Sequence, residues 1–206
     1  MTSDSSPETL ADTETHAVEL VIITGMSGAG RSEAIHTFED LGYFCIDNLP
    51  PTFISQLVDL TGLPGSRIKR IAVVCDVRAK EFFGELVESL EALSAAQVPH
   101  HVLFLEADDE TLVRRFKETR RRHPLCEESG SIAEGIAAER EALASIRRRA
   151  DVVIDTSRYK PAELRSAIKD RFFSESLAPT LTITVMSFGF KYGLPIDADL
   201  VMDVRF

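Results

Sequence analysis

The chain has 206 residues, of which 44% are hydrophobic, and its formal net charge is −10. This length allows one sizeable core with part of a second unit. The acidic balance argues against a general nucleic-acid binder, although a local basic patch could still bind nucleic acid. No stretch reaches the roughly 18 apolar residues of a membrane span, and the first residues lack the basic and apolar regions of a signal peptide. We therefore expect a soluble protein with no membrane partner.

Residues 1–17 and the cysteines indicate the environment of the protein. The first seventeen residues are rich in Ser, Thr and Pro and contain acids but no Lys or Arg, so we predict a disordered acidic tail. The three cysteines, Cys45, Cys75 and Cys126, are odd in number and widely spaced. This pattern fits neither a disulfide framework nor a zinc site, and it favours the reducing cytoplasm.

The next segment joins an apolar run to a glycine-rich turn. Leu20–Thr24 predicts a buried parallel strand, and a helix is expected from Ser32 to Leu41. The turn between them fits the P-loop pattern G-x-x-x-x-G-K-[ST] with arginine in the lysine position. Such a loop presents its N–H groups to a polyphosphate at the N-terminus of a helix. We predict eight nucleotide-binding residues: Gly25, Met26, Ser27, Gly28, Ala29, Gly30, Arg31 and Ser32.

We make further predictions for two residues of this loop. Ser32 would supply an oxygen to Mg²⁺. Arg31 would contact the phosphates and act in catalysis, but arginine is bulkier and forked where lysine is a point charge. Nucleotide binding is therefore a safer prediction than fast hydrolysis. The alternatives are a plain glycine-containing turn and a dinucleotide fingerprint, and the latter fits less well because the glycines follow G-x-x-G-x-G rather than G-x-G-x-x-G.

Two aspartates follow the next predicted strands. Asp47 comes after Tyr43–Ile46, and Asp76 comes after Ile71–Cys75. Ligands of a parallel sheet bind at the carboxyl ends of its strands, where an acidic group can reach the Mg²⁺ of a bound nucleotide. We predict Asp47 as a metal ligand and Asp76 as a nucleotide contact with a catalytic role. Each could instead cap a turn or the following helix.

The segment from Asp109 to His123 is basic, with six Lys or Arg residues against three acids. Leu112, Val113 and Phe116 form an apolar stripe, so we predict a helix that is docked on one side, basic on the other and ended by Pro124. It could be a lid over a transferred phosphate, a surface for RNA phosphates, or a solvated charged face.

Further strands are predicted at Val102–Leu105 and Val152–Ile154, and helical spacing recurs in Phe82–Leu93, Ile132–Ile146 and Leu164–Phe172. Strands that alternate with helices predict an α/β fold, with a parallel sheet and helices on both faces, over residues 18–176. After the strand-like run 181–186 the chain stops in mid-pattern. Residues 177–206 are therefore expected to begin a truncated C-terminal domain, or else to pack back on the first.

Six motifs, in this order and spacing, resemble the RapZ/YvcJ family of bacterial P-loop nucleotide-binding proteins. The Asp-Asn-Leu-Pro and Ser-Phe-Gly-Phe-Lys sequences within them are the most specific. The motifs are Gly25–Ser32, Leu41–Pro50, Cys75–Arg78, Leu103–Ala107, Thr119–Leu125 and Ser187–Gly193.

The resemblance implies a kinase-like P-loop NTPase domain that binds and hydrolyses ATP and GTP. By position, Gly25–Ser32 would bind ATP, and Asp76, Val77, Arg78 and Ala79 would bind GTP. Better-known members are regulatory adaptors that bind small RNA and an amino-sugar phosphate, largely through the C-terminal domain. An RNA or protein partner would therefore act through residues this chain lacks, and oligomers are possible.

Three functions remain open on this sequence. The first is a regulator with slow ATPase or GTPase activity. The second is a small-molecule or nucleoside-monophosphate kinase. The third is an RNA-binding adaptor that uses the basic helix 109–123.

Overall fold

A computed structural model describes the following residues of the chain: 18–63, 65–75, 80–126, 130–173, 185–189, 191, 193 and 200–203. Two compact units are distinguished, residues 1–172 and 173–206. The predicted acidic tail, residues 1–17, lies outside the described residues, as do residues 181–184 of the strand-like run. In the second unit, residues 185–189 and 200–203 are irregular. No helix of the described ranges is long and apolar enough to span a membrane.

The first unit is built on a sheet of five strands: β1 (Glu19–Gly25), β2 (Phe44–Ile46), β3 (Arg70–Val74), β4 (His100–Glu106) and β5 (Val152–Asp155). Their order in the sheet is β2-β3-β1-β4-β5, and every neighbouring pair is parallel. The central strand, β1, is apolar along both faces, and Leu20 to Ile23 are fully buried. Continuous apolar runs of this kind are typical of strands covered on both sides, and all five predicted strands are confirmed.

Six α-helices are found among the described residues: α1 (Arg31–Asp40), α2 (Ile54–Thr61), α3 (Lys80–Ala95), α4 (Asp109–Thr119), α5 (Ile132–Arg149) and α6 (Pro161–Phe173). The first five lie between strands, α6 follows β5, and together they cover both faces of the sheet. α1 crosses from β1 past β3 to β2, whereas α3 crosses from β3 past β1 to β4, in the opposite direction. Because both crossovers take the usual right hand, these helices lie on opposite faces. α1 packs with α6, and α3 packs with α2 and α5.

The structure differs from the sequence prediction in two local features. A short 3-10 helix, Pro51–Phe53, leads into α2, and neither was predicted. The basic helix begins after Asp108, whose carboxylate accepts the Thr111 N–H at 2.7 Å, but it does not run to Pro124. It ends at Thr119, because Arg120 takes a left-handed conformation with φ 53°. The predicted end of that helix was therefore wrong.

Phe38 of α1 anchors the core on the face that α1 shares with α6. Its ring is fully buried. It makes edge-to-face contacts with Tyr43 and Phe172, at centroid distances of 5.1 and 5.2 Å. Aromatic pairs of this geometry stabilise a core beyond the area that they bury.

We expect Phe38→Ala to lower the free energy of unfolding by about 3–5 kcal/mol, because it leaves a cavity and removes two ring contacts. Phe44→Ala is the matched control, since Phe44 is 49% exposed on the edge strand β2, and we expect it to cost less than about 1 kcal/mol. Urea denaturation measures both. Equal losses in the two variants would contradict this description of the core.

Candidate functional site

The turn after β1 depends on two glycines. Gly25 has φ 135°, and a Cβ there would lie 2.1 Å from the carbonyl oxygen of Leu105. That oxygen accepts the Met26 N–H at 2.9 Å, so the end of β1 lies directly against β4. Gly30 has φ 105° and caps α1, and a Cβ there would approach Leu164 to 2.9 Å. Only glycine fits both positions without displacement of the backbone or of α6.

Two carbonyl groups of the turn are bound by side chains from distant parts of the chain. Arg115 of α4 donates to the Gly28 carbonyl at 2.9 Å, and the Thr156 hydroxyl donates to the Ala29 carbonyl at 2.9 Å. Arg115 also donates to the Thr156 carbonyl at 2.7 Å. Thr156 is 1% exposed. These contacts fix the carbonyl side of the turn.

The N–H groups of the turn are used differently. Within the described part of the chain, those of Gly28, Gly30 and Ser32 have no protein acceptor. They lie where the turn runs into the first residues of α1, and the N-terminus of a helix carries a partial positive charge. Unpaired N–H groups at such a position are suited to bind an anion.

A buried carboxylate contacts the turn at Ser27. Glu139 of α5 accepts the Ser27 N–H at 2.9 Å and the Ser27 hydroxyl at 2.7 Å, and it also accepts His123 Nε2 at 3.1 Å. Burial by itself would raise the pKa of Glu139. The hydrogen bonds from His123 and Ser27 outweigh burial and hold the pKa below its ordinary value. Glu139 is therefore ionised at neutral pH.

The basic helix α4 lies against the same turn. Leu112 and Phe116 would be 3.6 and 3.5 Å from a Cβ on Gly28, so the apolar stripe of α4 packs where the sequence predicted a docked face. Arg115, one of the basic residues of the predicted helix, donates a hydrogen bond to the turn. Arg120, Arg121 and Arg122 are exposed, and among the described residues they form no ion pair.

The other predicted site residues lie at the start of α1, after β2 or outside the described residues. Arg31 is the first residue of α1 and is partly exposed, and Ser32 next to it is exposed. Asp47 follows β2 and is also exposed. β3 lies between β2 and β1, so roughly 10 Å separates the end of β2 from the turn. Asp76, Val77, Arg78 and Ala79 lie outside the described residues, so their predicted roles stay predictions.

Sequence reasoning missed Glu139, His123 and the role of Thr156. One signal was present: buried residues of α5 recur at Ile136, Glu139, Leu143 and Ile146, so an acid occupies a position of an apolar stripe. An acid at such a position needs a buried partner. The partner itself could not be read from the sequence, because Ser27 lies 112 residues away.

Comparison with known proteins places this geometry in a family. The model described as "RapZ-like N-terminal domain" matches residues 18–176, and that described as "RapZ C-terminal domain" matches residues 181–206. The chain belongs to the RapZ-like family. This confirms the resemblance of its motifs. Nucleotide-binding protein YvcJ of Bacillus subtilis (strain 168) is 50% identical over 194 residues, which are 94% of this chain and 65% of that protein.

A second relative and a solved structure are also similar to this chain. A nucleotide-binding protein of Caldicellulosiruptor saccharolyticus is 53% identical over 190 residues, or 92% of this chain, and the chain again spans 65% of the relative's length. Shikimate kinase from Acinetobacter baumannii, solved in complex with shikimate, superposes with a TM-score of 0.52 at 18% identity and covers 79% of this chain and 97% of its own. The chain thus has the fold of the P-loop kinases, with helices on both faces of a parallel sheet.

We expect Thr156→Val to lower the free energy of unfolding by about 1–3 kcal/mol, because the buried Ala29 carbonyl loses its hydroxyl donor. Thr156→Ser keeps the hydroxyl and serves as the matched control, with a smaller loss. Urea denaturation of the two variants measures the difference. A Val variant as stable as the Ser variant would contradict the role assigned to this hydroxyl.

Proposed function

We propose that this chain binds ATP and GTP with Mg²⁺ at Gly25–Ser32, hydrolyses them slowly and acts as a regulatory protein. One observation carries the proposal. Arg115 and Thr156 hold two carbonyls of the turn, while the N–H groups of Gly28, Gly30 and Ser32 have no acceptor in the ranges described. Three donors at the start of α1 suit the oxygens of a polyphosphate. The names of the relatives, nucleotide-binding proteins, support the same function.

The residues of this site fit a Mg²⁺–nucleotide. The ion typically takes one or two protein oxygens and completes its shell with phosphate and water. No group of three or more His, Cys, Asp or Glu able to hold a metal ion occurs in the described ranges, and none is needed for this kind of site. We propose Ser32 as a ligand from the turn and Asp47, which follows a strand that ends roughly 10 Å away, as a ligand that reaches the ion through bound water. Bound Mg²⁺ would supply positive charge to the phosphates.

Arg31 and Asp76 are proposed as the catalytic residues, and Asp76–Ala79 as contacts of GTP. Arg31 supports slow hydrolysis because a forked guanidinium does not reproduce the point charge of the usual lysine. The chain spans about 65% of the length of its relatives. As part of the same proposal, an RNA or protein partner acts through the C-terminal domain. The three free cysteines support a cytoplasmic location.

We expect Arg31→Lys to change the rate of single-turnover hydrolysis more than the nucleotide affinity, because both residues supply one charge but only arginine is forked. Calorimetric titration of ATP and GTP with Mg²⁺ gives the affinity, and rapid quench gives the rate. Arg67→Lys is the matched control, since Arg67 is exposed and precedes β3, at the end of the strands opposite the turn. Equal rates in all three proteins would contradict a catalytic role for Arg31.

The same titrations test the proposed function itself. Absence of nucleotide binding by the unaltered chain would overturn it. The shared fold of shikimate kinase makes phosphoryl transfer to a small acceptor the competing activity. Turnover that rises sharply when an acceptor is added would favour the kinase, whereas slow hydrolysis indifferent to added metabolites would favour the regulator.

The exposure of Arg120, Arg121 and Arg122 favours RNA binding as a second candidate. We expect their replacement by Gln to weaken RNA association and to reduce its salt dependence by about one unit of log–log slope per lost phosphate contact. Replacement of residues 147–149 by Gln removes the same charge, but Arg147 and Arg149 already pair with Glu106 and Glu91. Equal effects of the two triple changes, in a filter-binding titration, would count against a specific RNA surface.

A further inference from the structure

Glu139 links the phosphate-binding turn to a second segment of the chain. That segment, residues 120–126, follows α4, begins with three arginines and is called the arginine segment below. Its His123 bonds to Glu139, and Glu139 bonds to Ser27. All three residues are buried: the exposed fraction is 4% for Ser27, 2% for His123 and 3% for Glu139. Three donors thus meet one buried carboxylate between the turn and the arginine segment.

His123 is held in one orientation from several directions. The Leu125 N–H donates to His123 Nδ1 at 3.2 Å, so this nitrogen accepts and the ring proton lies on Nε2, which donates to Glu139. The ring packs on Phe116 at a centroid distance of 5.0 Å. A Cβ on Gly135 of α5 would lie 2.7 Å from Nδ1, so this helical glycine leaves room for the ring.

Core packing does not explain an acid at this position. Its neighbours in the buried stripe of α5 are Ile136, Leu143 and Ile146, so the rest of the stripe is apolar. Replacement of such a buried polar cluster, the acid and its donors together, by apolar groups of the same shape can be nearly neutral or stabilising, although loss of the acid alone leaves its donors unpaired. The carboxylate is therefore better explained by what it holds in place than by the stability that it adds.

We propose that Glu139 and His123 are positioning residues that fix the arginine segment beside the phosphate-binding turn and thereby set the rate of nucleotide hydrolysis. This inference rests on the proposed function. In that reaction a water oxygen bonds to the γ-phosphorus, the bond to the bridging oxygen breaks, and nucleoside diphosphate, phosphate and a proton are released. A correctly placed arginine stabilises the charge of this transition state.

The decisive variant is Glu139→Leu, which removes both carboxylate oxygens that accept from Ser27 and His123. We expect it to fold with reduced stability, because three buried donors lose their acceptor. It should bind ATP within about threefold of the unaltered affinity and hydrolyse it at least about tenfold more slowly in a single turnover. Trypsin should also cleave faster after residues 120–122 in the absence of nucleotide, as read by mass spectrometry. Glu141→Leu is the matched control, because Glu141 is exposed on the same helix, and it should leave both rates unchanged.

A double-variant cycle separates positioning from general support. One variant of the cycle has Arg120, Arg121 and Arg122 all replaced by Gln. If Glu139 acts through the arginine segment, then adding Glu139→Leu to that variant should slow hydrolysis no further. His123→Gln keeps an N–H donor near the place of Nε2 and should retain more of the rate than His123→Leu. Full additivity in the cycle would overturn the inference.

The two proposals fail in different ways. If the unaltered chain binds no nucleotide, the proposed function falls and this inference falls with it. If the unaltered chain binds and hydrolyses ATP but Glu139→Leu does so at the same rate, only this inference falls. Faster trypsin cleavage with an unchanged rate of hydrolysis would likewise overturn it, since the carboxylate would then have a structural role alone.

Discussion

The hydrogen bonds from Arg115 and Thr156 to the carbonyls of Gly28 and Ala29 are the contacts on which the site depends. A tight turn has too few backbone partners of its own, and carbonyls without donors would favour another conformation. Both donors come from outside the turn: one lies on α4, and the other follows β5. The shape of the turn therefore depends on contacts from α4 and from the residue after β5, and those contacts leave its N–H groups available.

The fold could be predicted largely from the sequence because its sheet is parallel and covered on both faces. Each strand then reads as a short apolar run, and no alternation is needed to recognise it. The failures are local. α2 has only eight residues and follows two prolines, so periodicity had little length in which to appear. α4 ends four residues before the predicted stop, because Arg120 adopts a left-handed conformation that non-glycine residues seldom take.

The site was predictable where one short segment carries it and not where distant segments meet. The turn could be identified because glycine, arginine and serine recur there at fixed spacing. Glu139 offered only an acid in an apolar stripe, and His123 offered no pattern at all, since its partner lies sixteen residues away on another element. Arg115 and Thr156 are ordinary residues whose function depends on contacts that only the folded chain brings together.

These contacts bear on the arginine that stands in the lysine position. Arg115 and Thr156 donate hydrogen bonds to the carbonyls of the turn, and Glu139 accepts a hydrogen bond from the Ser27 N–H. A change of cation at residue 31 therefore need not alter the path of the backbone, and its effect falls on contacts with the phosphates. If the arginine segment also supplies positive charge beside the turn, then two sources of charge act on one ligand. The rate of hydrolysis would then depend on Glu139 as much as on the residue that departs from the motif.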